Sequence, residues 1–140
     1  MINPNDIATI CTTNMIPVDL NCLMVTLEQT IADAYSTIKQ NRLAQHYENL
    51  AQKRIEAIRK YCWDSHKKFF TDYNFAEEKS TGVISAAGLF PLFCNVATNE
   101  QASDVSSLVT KKLLQPGGVV TSLNQTEQQW DWPNGGAPLQ

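Results

Sequence analysis

The sequence predicts an all-α chain with helices in two layers, and three observations carry that expectation. Apolar residues recur at three-and-four spacing over 18–38 and again over 42–61. Segments poor in charge alternate along the chain with segments that keep one clearly wet face. Pro17, Asn99 and Pro116-Gly117-Gly118 stand where helices begin or stop. Helical hairpins laid side by side, with one helix inside and one outside, build an α/α toroid or an α-solenoid.

The first helix covers 18–38, with Leu20, Leu23, Met24, Leu27, Ile31, Ala34, Tyr35 and Ile38 on its core-facing stripe. Pro17 suits the first turn, where its missing N–H would be unpaired anyway, and Asn41 breaks the pattern. A second helix runs from about Arg42 to Tyr61, with Leu43, Ala44, Tyr47, Leu50, Ala51, Ile55, Ile58 and Cys62 inward and Gln45, Glu48, Gln52, Lys53, Glu56 and Arg59 outward. The first helix carries only Asp19, Glu28, Asp33 and Lys39, so it is expected to be buried on more of its circumference.

Between Trp63 and Gly82 the helical period fails. Lys68-Phe69-Phe70-Thr71-Asp72-Tyr73-Asn74-Phe75 reads as a short strand or aromatic loop that lids the helix ends. Residues 84–96 are nearly uncharged and interrupted by Pro91, and are expected to be interior. A further helix spans about Glu100 to Leu114, with Ala102, Val105, Leu108, Val109 and Leu113 inward and Asn99 as cap. Gly136-Ala137-Pro138-Leu139 then opens another apolar stretch. The sum is two helical hairpins plus the start of another inner helix, an incomplete arc.

A chain of 140 residues with 43% hydrophobic content makes one domain, here 1–140. A net charge of −3 offers no basic face for phosphates, and Lys53, Arg54, Arg59, Lys60, Lys67 and Lys68 are interleaved with acids and apolar residues, so no nucleic-acid partner is expected. Cys11, Cys22, Cys62 and Cys94 form no Cys-x-x-Cys pair, which argues against a structural zinc site and for buried free thiols. No metal or organic cofactor is implied. The N-terminus lacks the basic region and apolar run of an export signal, and no stretch approaches the length of a membrane span, so no membrane partner is expected.

The stretch richest in chemistry is Gln128-Gln129-Trp130-Asp131-Trp132-Pro133-Asn134-Gly135. Indole faces flanked by amides and a carboxylate suit a sugar, because the ring stacks on C–H groups while the polar groups bond hydroxyls. Gln129, Trp130, Asp131 and Asn134 are the candidate substrate-binding residues. Trp130 sits among polar groups rather than in an apolar stripe, which favours a pocket wall over a core position. Turn chemistry with incidental aromatics is the plainer alternative, and Asp131 is equally suited to capping a following helix. Asp19 and Asn21 carry the same choice between capping and pocket contact.

Three stretches, Ile16-Pro17-Val18-Asp19-Leu20-Asn21, Leu113-Leu114-Gln115-Pro116-Gly117-Gly118 and the Trp130 motif, resemble catalytic-domain segments of the α,α-trehalases. Trp63-Asp64 followed by Phe70, Asp72 and Tyr73 is similar to that family too, and order and spacing agree from about residue 7 onward. The resemblance implies an internal fragment of an (α/α)6 toroid that hydrolyses trehalose to two glucoses with inversion. In such a mechanism one carboxylic acid protonates the glycosidic oxygen while a carboxylate about 6.5–9.5 Å away activates water. By the resemblance, the general acid lies upstream of this chain and the general base downstream of Gln140, so no catalytic residue is assigned here and the chain alone is expected to be inactive. The loops at Pro17–Asn21, Ser85–Gly88 and Gln128–Gly135 would converge on the sugar.

Two departures stand out: Cys11 occupies the family's arginine position before Thr12-Thr13, and Gly136 replaces a tryptophan. Trehalose is the implied substrate and water the co-substrate, with complementing fragments as the other partner. A non-catalytic helical sugar-binding or interaction module is the alternative, and a self-sufficient hydrolase using Asp131 with Asp19 or Glu127 ranks below both. Trehalases occur in the periplasm and in the cytoplasm, so the resemblance does not fix the compartment. An open arc would leave apolar surface around Leu23, Leu27, Leu89 and Phe93 in water.

Overall fold

A computed structural model describes residues 11–123. Its largest unit is a helical hairpin, α1 (Val18–Thr37) and α2 (Asn41–Ala57), the latter continued by a π turn at Ile58–Cys62. α1 ends because Lys39 turns left-handed at φ 59°. The Lys39 N–H then donates to Ser36 O at 2.9 Å and the Gln40 N–H to Tyr35 O at 2.8 Å, a Schellman closure built on lysine instead of glycine. The break in the pattern therefore falls at Lys39, and Asn41 is already the first residue of α2.

The two helices are locked together by charge. Arg54 Nε donates to both oxygens of Glu28, at 3.1 and 3.0 Å, and Nη2 adds a third contact at 2.7 Å. Arg54 Nη1 reaches Asn21 Oδ1 at 3.0 Å, and Asn21 Nδ2 donates to Pro17 O at 2.9 Å. Glu28 is buried, so the fork-shaped guanidinium replaces the water that its carboxylate has lost.

The core-facing stripe of α1 differs from the predicted one. Val18, Cys22, Val25, Glu28 and Ala32 are buried, whereas Leu20, Leu23, Leu27 and Ile38 are exposed at 54%, 46%, 50% and 64%. α1 is apolar on two faces, and only one meets α2 and the segment around Phe90. On α2, Ala51, Ile55, Ile58 and Cys62 are buried as expected, while Leu43 and Leu50 remain exposed.

Small antiparallel ladders qualify the all-α expectation. β2 (Trp63–Asp64) pairs with β3 (Phe69–Phe70), and β4 (Tyr73–Asn74) lies between β1 (Met15–Ile16) and β5 (Lys79–Ser80). Both hairpin turns use the same device. Asp64 Oδ1 accepts the His66 and Lys67 N–H groups at 3.0 Å, and Asn74 Oδ1 accepts those of Ala76 and Glu77 at 3.1 Å. The residue four on, Lys68 or Glu78, is left-handed. Partial burial alone would raise the Asp64 carboxyl, but the Lys67 N–H, the Ser80 hydroxyl and the His66 N–H together hold it below its ordinary value. Phe69 and Phe70 are fully buried and belong to the core itself.

The low-charge segment 84–96 is shorter in helix than predicted, a 3-10 turn at Ala86–Leu89 followed by one α turn, α3 (Phe90–Phe93). Pro91 has no N–H to carry a longer ladder back through the turn before it. Nor is the segment wholly interior. Gly88, Pro91, Cys94 and Val96 are buried, but Phe93 is 82% exposed.

α4 (Asn99–Leu108) is capped by Thr98 rather than Asn99. Thr98 Oγ1 accepts the Gln101 N–H at 3.2 Å and Gln101 Oε1 accepts the Thr98 N–H at 3.0 Å, a reciprocal capping box. A π turn at Val109–Leu113 follows, and Pro116-Gly117 then closes a hairpin of β6 (Leu114–Gln115) and β7 (Gly118–Val119), with Gly118 at φ 127°.

One core joins these parts: Val18, Cys22 and Val25 of α1, Ala51, Ile55, Ile58 and Cys62, Phe69, Phe70, Cys94, Val96, Val105 and Leu113. The cysteines are free thiols, Cys11 being only partly buried. Burial pushes Cys22 and Cys62 up to about 12, with other nearby groups adding to the shift, so both stay protonated and inert. No described helix is long and apolar enough to cross a membrane.

Candidate functional site

The start of α1 is held in place from two directions. Pro17 offers no side-chain cap, and the Val18 N–H instead donates to Asp72 Oδ1 at 2.9 Å, from a residue just ahead of β4. Asn21, itself held by Arg54, grips the Pro17 carbonyl from the other side. Between these clamps Asp19, whose Oδ1 accepts the Leu20 N–H at 2.7 Å, faces a cleft.

That cleft, of about 750 Å³, is mostly apolar. Ser85, Ala86 and Ala87 form one wall with Thr121 and Ser122 bonded beside them at its rim, and Leu89, Phe90 and Phe93 supply the apolar surface, called here the floor. Phe90 and Phe93 meet edge to face, ring centres 6.5 Å apart. The Ser85 wall is held by an antiparallel bridge to Ser122, with the Ala86 N–H donating to Thr121 O at 2.8 Å and the Leu123 N–H to Ile84 O at 3.3 Å. Gly88 makes the wall possible: a methyl group there would lie 2.3 Å from Phe69 Cε1 and 2.4 Å from Phe70 O.

Of the loops predicted to converge, those at Pro17–Asn21 and Ser85–Gly88 do meet at this cleft, contributing Asp19 and Ser85 to Ala87. Asn21 does not join them, being committed to Pro17 and Arg54. Gln129, Trp130, Asp131 and Asn134 lie outside the described residues. Sequence reasoning missed Phe90 and Phe93 as cleft residues, because an uncharged run beside proline reads as core. It also missed the capping by Asp72, which no local pattern signals across 54 positions.

Burial raises the Asp72 carboxyl, the Val18 N–H partly opposes that, and the nearby Asp19 charge adds to it. The folded state therefore holds this proton more tightly than the unfolded chain. Between the ordinary carboxylate value and the raised one, Asp72's contribution to stability falls as pH rises. Asp72→Ala is expected to cost about 1–2 kcal/mol through the lost cap. Asp72→Asn keeps an acceptor for Val18 and flattens this part of a Tm-against-pH profile. Thermal melts of the three chains between pH 3 and 7 check both effects.

The sequence profile of the trehalase family matches residues 1–140. The chain belongs to the trehalase family. Periplasmic trehalase of Escherichia coli O1:K1 is 42% identical over all 140 residues, and that of Salmonella paratyphi B 41%. In both comparisons the match covers 100% of this chain and 25% of the relative, so the chain spans about a quarter of the length of the curated trehalases it matches. Among solved structures, neutral trehalase from Saccharomyces cerevisiae superposes with a TM-score of 0.77 at 28% identity, over 86% of this chain and 25% of that one. A sialidase superposes at 0.69 with 16% identity, over 81% of this chain and 10% of that one, a likeness of fold alone. The helical fold of this trehalase-family chain, with its small ladders, agrees with that neighbourhood.

Proposed function

We propose that this chain is an arc of the (α/α)6 catalytic domain of a trehalase, and that the cleft at Asp19 is the share of the trehalose site which this arc contributes. The observation that supports the reading is the meeting of the α1 start with the Ser85–Ala87 wall, at a rim from which the chain continues toward the Trp130 motif. An apolar floor with one carboxylate and three hydroxyl side chains at its edge has the make-up of a sugar subsite: rings lie against the C–H faces and polar groups take the hydroxyls.

In this reading Asp19 accepts a hydroxyl hydrogen bond, Phe90 packs against a sugar face, and Gln129, Trp130, Asp131 and Asn134 close the subsite. No residue of this chain handles the transferred protons. Inverting hydrolysis needs an acid and a base on opposite sides of the anomeric carbon, about 6.5–9.5 Å apart, and both come from the rest of the enzyme. Water is the only co-substrate. The names of the bacterial relatives support a periplasmic setting.

The test is glucose release from trehalose. The purified chain is expected to give none above background. Producing it together with polypeptides that supply the remaining three quarters of a relative's length is expected to restore release. Complexes that assemble stably and stay silent, while an intact relative works under the same conditions, would overturn the reading.

A further inference from the structure

Among the described residues Asp19 is the one charged group lining the cleft, and its Oδ1 is tethered by the Leu20 N–H at 2.7 Å. The backbone just before it is fixed at Pro17. That carbonyl accepts the Asn21 N–H at 3.3 Å and, more closely, the Asn21 Nδ2 at 2.9 Å. The Asn21 amide has only one usable orientation. Arg54 Nη1 lies 3.0 Å from its oxygen, and because a guanidinium only donates, the oxygen must face Arg54 and the NH2 group must face Pro17. Arg54 in turn is held by its contacts to buried Glu28. A continuous hydrogen-bonded path therefore runs from the middle of the α1–α2 hairpin to the turn that carries Asp19.

Helix capping does not call for this path. A cap satisfies first-turn N–H groups, whereas the Asn21 side chain serves a carbonyl that already has a backbone donor. What the extra bond supplies is a fixed place for the residue that follows Val18. We propose that Asn21 is a positioning residue for the cleft: oriented by Arg54, it holds the Pro17 carbonyl and so aims the Asp19 carboxylate. The proposal rests on the reading of Asp19 as a contact for a sugar hydroxyl, and it adds what keeps that contact in place.

Hydrogen exchange followed by NMR in the full chain tests the positioning itself. Asn21→Asp keeps an acceptor for Arg54 and removes the donor to Pro17. The Leu20 amide, bonded to Asp19 Oδ1, is expected to lose about fivefold in protection, the factor carried by one ordinary hydrogen bond. The core amides of Val25, Ile55 and Val105 are expected to keep theirs. Unchanged protection at Leu20 would overturn the proposal, and so would a fall shared by the core amides, which is a loss of global stability rather than of local aim.

KM tests the consequence, in a chimera that carries residues 1–140 in place of the matching span of the Escherichia coli O1:K1 periplasmic trehalase. Asn21→Asp is expected to raise KM about fivefold with kcat little changed, and to add nothing in an Asp19→Ala background, because it acts through Asp19. If Asp19→Ala raises KM and Asn21→Asp does not, the positioning role falls and the sugar contact stands. If Asp19→Ala leaves KM unmoved, the sugar contact falls and the positioning role falls with it. Additive increases in KM would also overturn the proposal, since Asn21 would then act by another route. A chimera that folds and releases no glucose overturns both.

Discussion

Arg54→Met is expected to destabilise the chain by about 3 kcal/mol, the low end of the cost of breaking a buried ion pair. Glu28 would remain buried with its three guanidinium contacts gone. The low end applies because the Arg54 side chain is 30% exposed, which lets water approach the abandoned carboxylate. For a domain of this size the midpoint of thermal unfolding would fall by roughly 10 °C.

The double variant Glu28→Leu/Arg54→Met removes both charges and is expected to recover most of the loss, because the penalty comes from an unpaired buried charge rather than from the absent pair. Urea melts of the two single variants and the double variant check this. A single variant within about 0.5 kcal/mol of the parent would show that the network adds little. The consequence reaches the cleft, since Arg54 also holds Asn21, and Asn21 holds the carbonyl of Pro17 beside Asp19.

Gly88→Ala is the second large effect, at an expected cost of about 2–3 kcal/mol. The reason is contact rather than backbone freedom. The added methyl meets a fully buried ring and a backbone carbonyl, Phe69 Cε1 at 2.3 Å and Phe70 O at 2.4 Å, neither of which can swing aside. Relief must come from moving the Ser85–Phe90 wall, so the variant disturbs the cleft as well as the core. Combining it with Phe69→Leu frees space on one side and is expected to return part of the loss. Calorimetry of the single and double variants checks the coupling, and simple additivity of the two costs would contradict it.

Three helices were legible from spacing because each repeats its apolar side over several turns. Which side of α1 faces the core was not. Val18, Cys22 and Val25 form one apolar stripe, Leu20, Leu23 and Leu27 form another, and the choice between them is made by Ala51, Ile55 and Phe90, far along the chain. The sequence marks 68–75 as a short strand or aromatic loop, and β3 and β4 do lie there, but their pairing is not legible because two-residue strands have no period to detect. Their signal was instead a repeated turn, Asp64 to Lys68 and Asn74 to Glu78, in which a carboxylate or amide gathers two N–H groups ahead of a left-handed residue. The capping box at Thr98 and Gln101 is a readable Thr-x-x-Gln pattern that the expectation of Asn99 as cap overlooks.

For the candidate site, the family resemblance pointed to the loops at Pro17 and Ser85, and these do meet. Burial rather than sequence decided which of their side chains face the cleft. Asn21, the more sugar-like residue on its chemistry, is spent on Arg54, and Phe93, predicted interior, stands in the open. The apolar exposure expected around Leu23, Leu27 and Phe93 is observed, and Leu20 joins them, while Leu89 is half-buried.

The most direct test of the trehalase reading is a chimera in which residues 1–140 replace the matching quarter of a periplasmic trehalase that is 42% identical over this span. Glucose release from trehalose would be measured for the chimera and for its Asp19→Ala variant. The chimera is expected to retain activity within about one hundredfold of the parent, and Asp19→Ala to raise KM, as loss of a substrate hydrogen bond does. A chimera that folds to the parent's melting profile yet releases no glucose would contradict it.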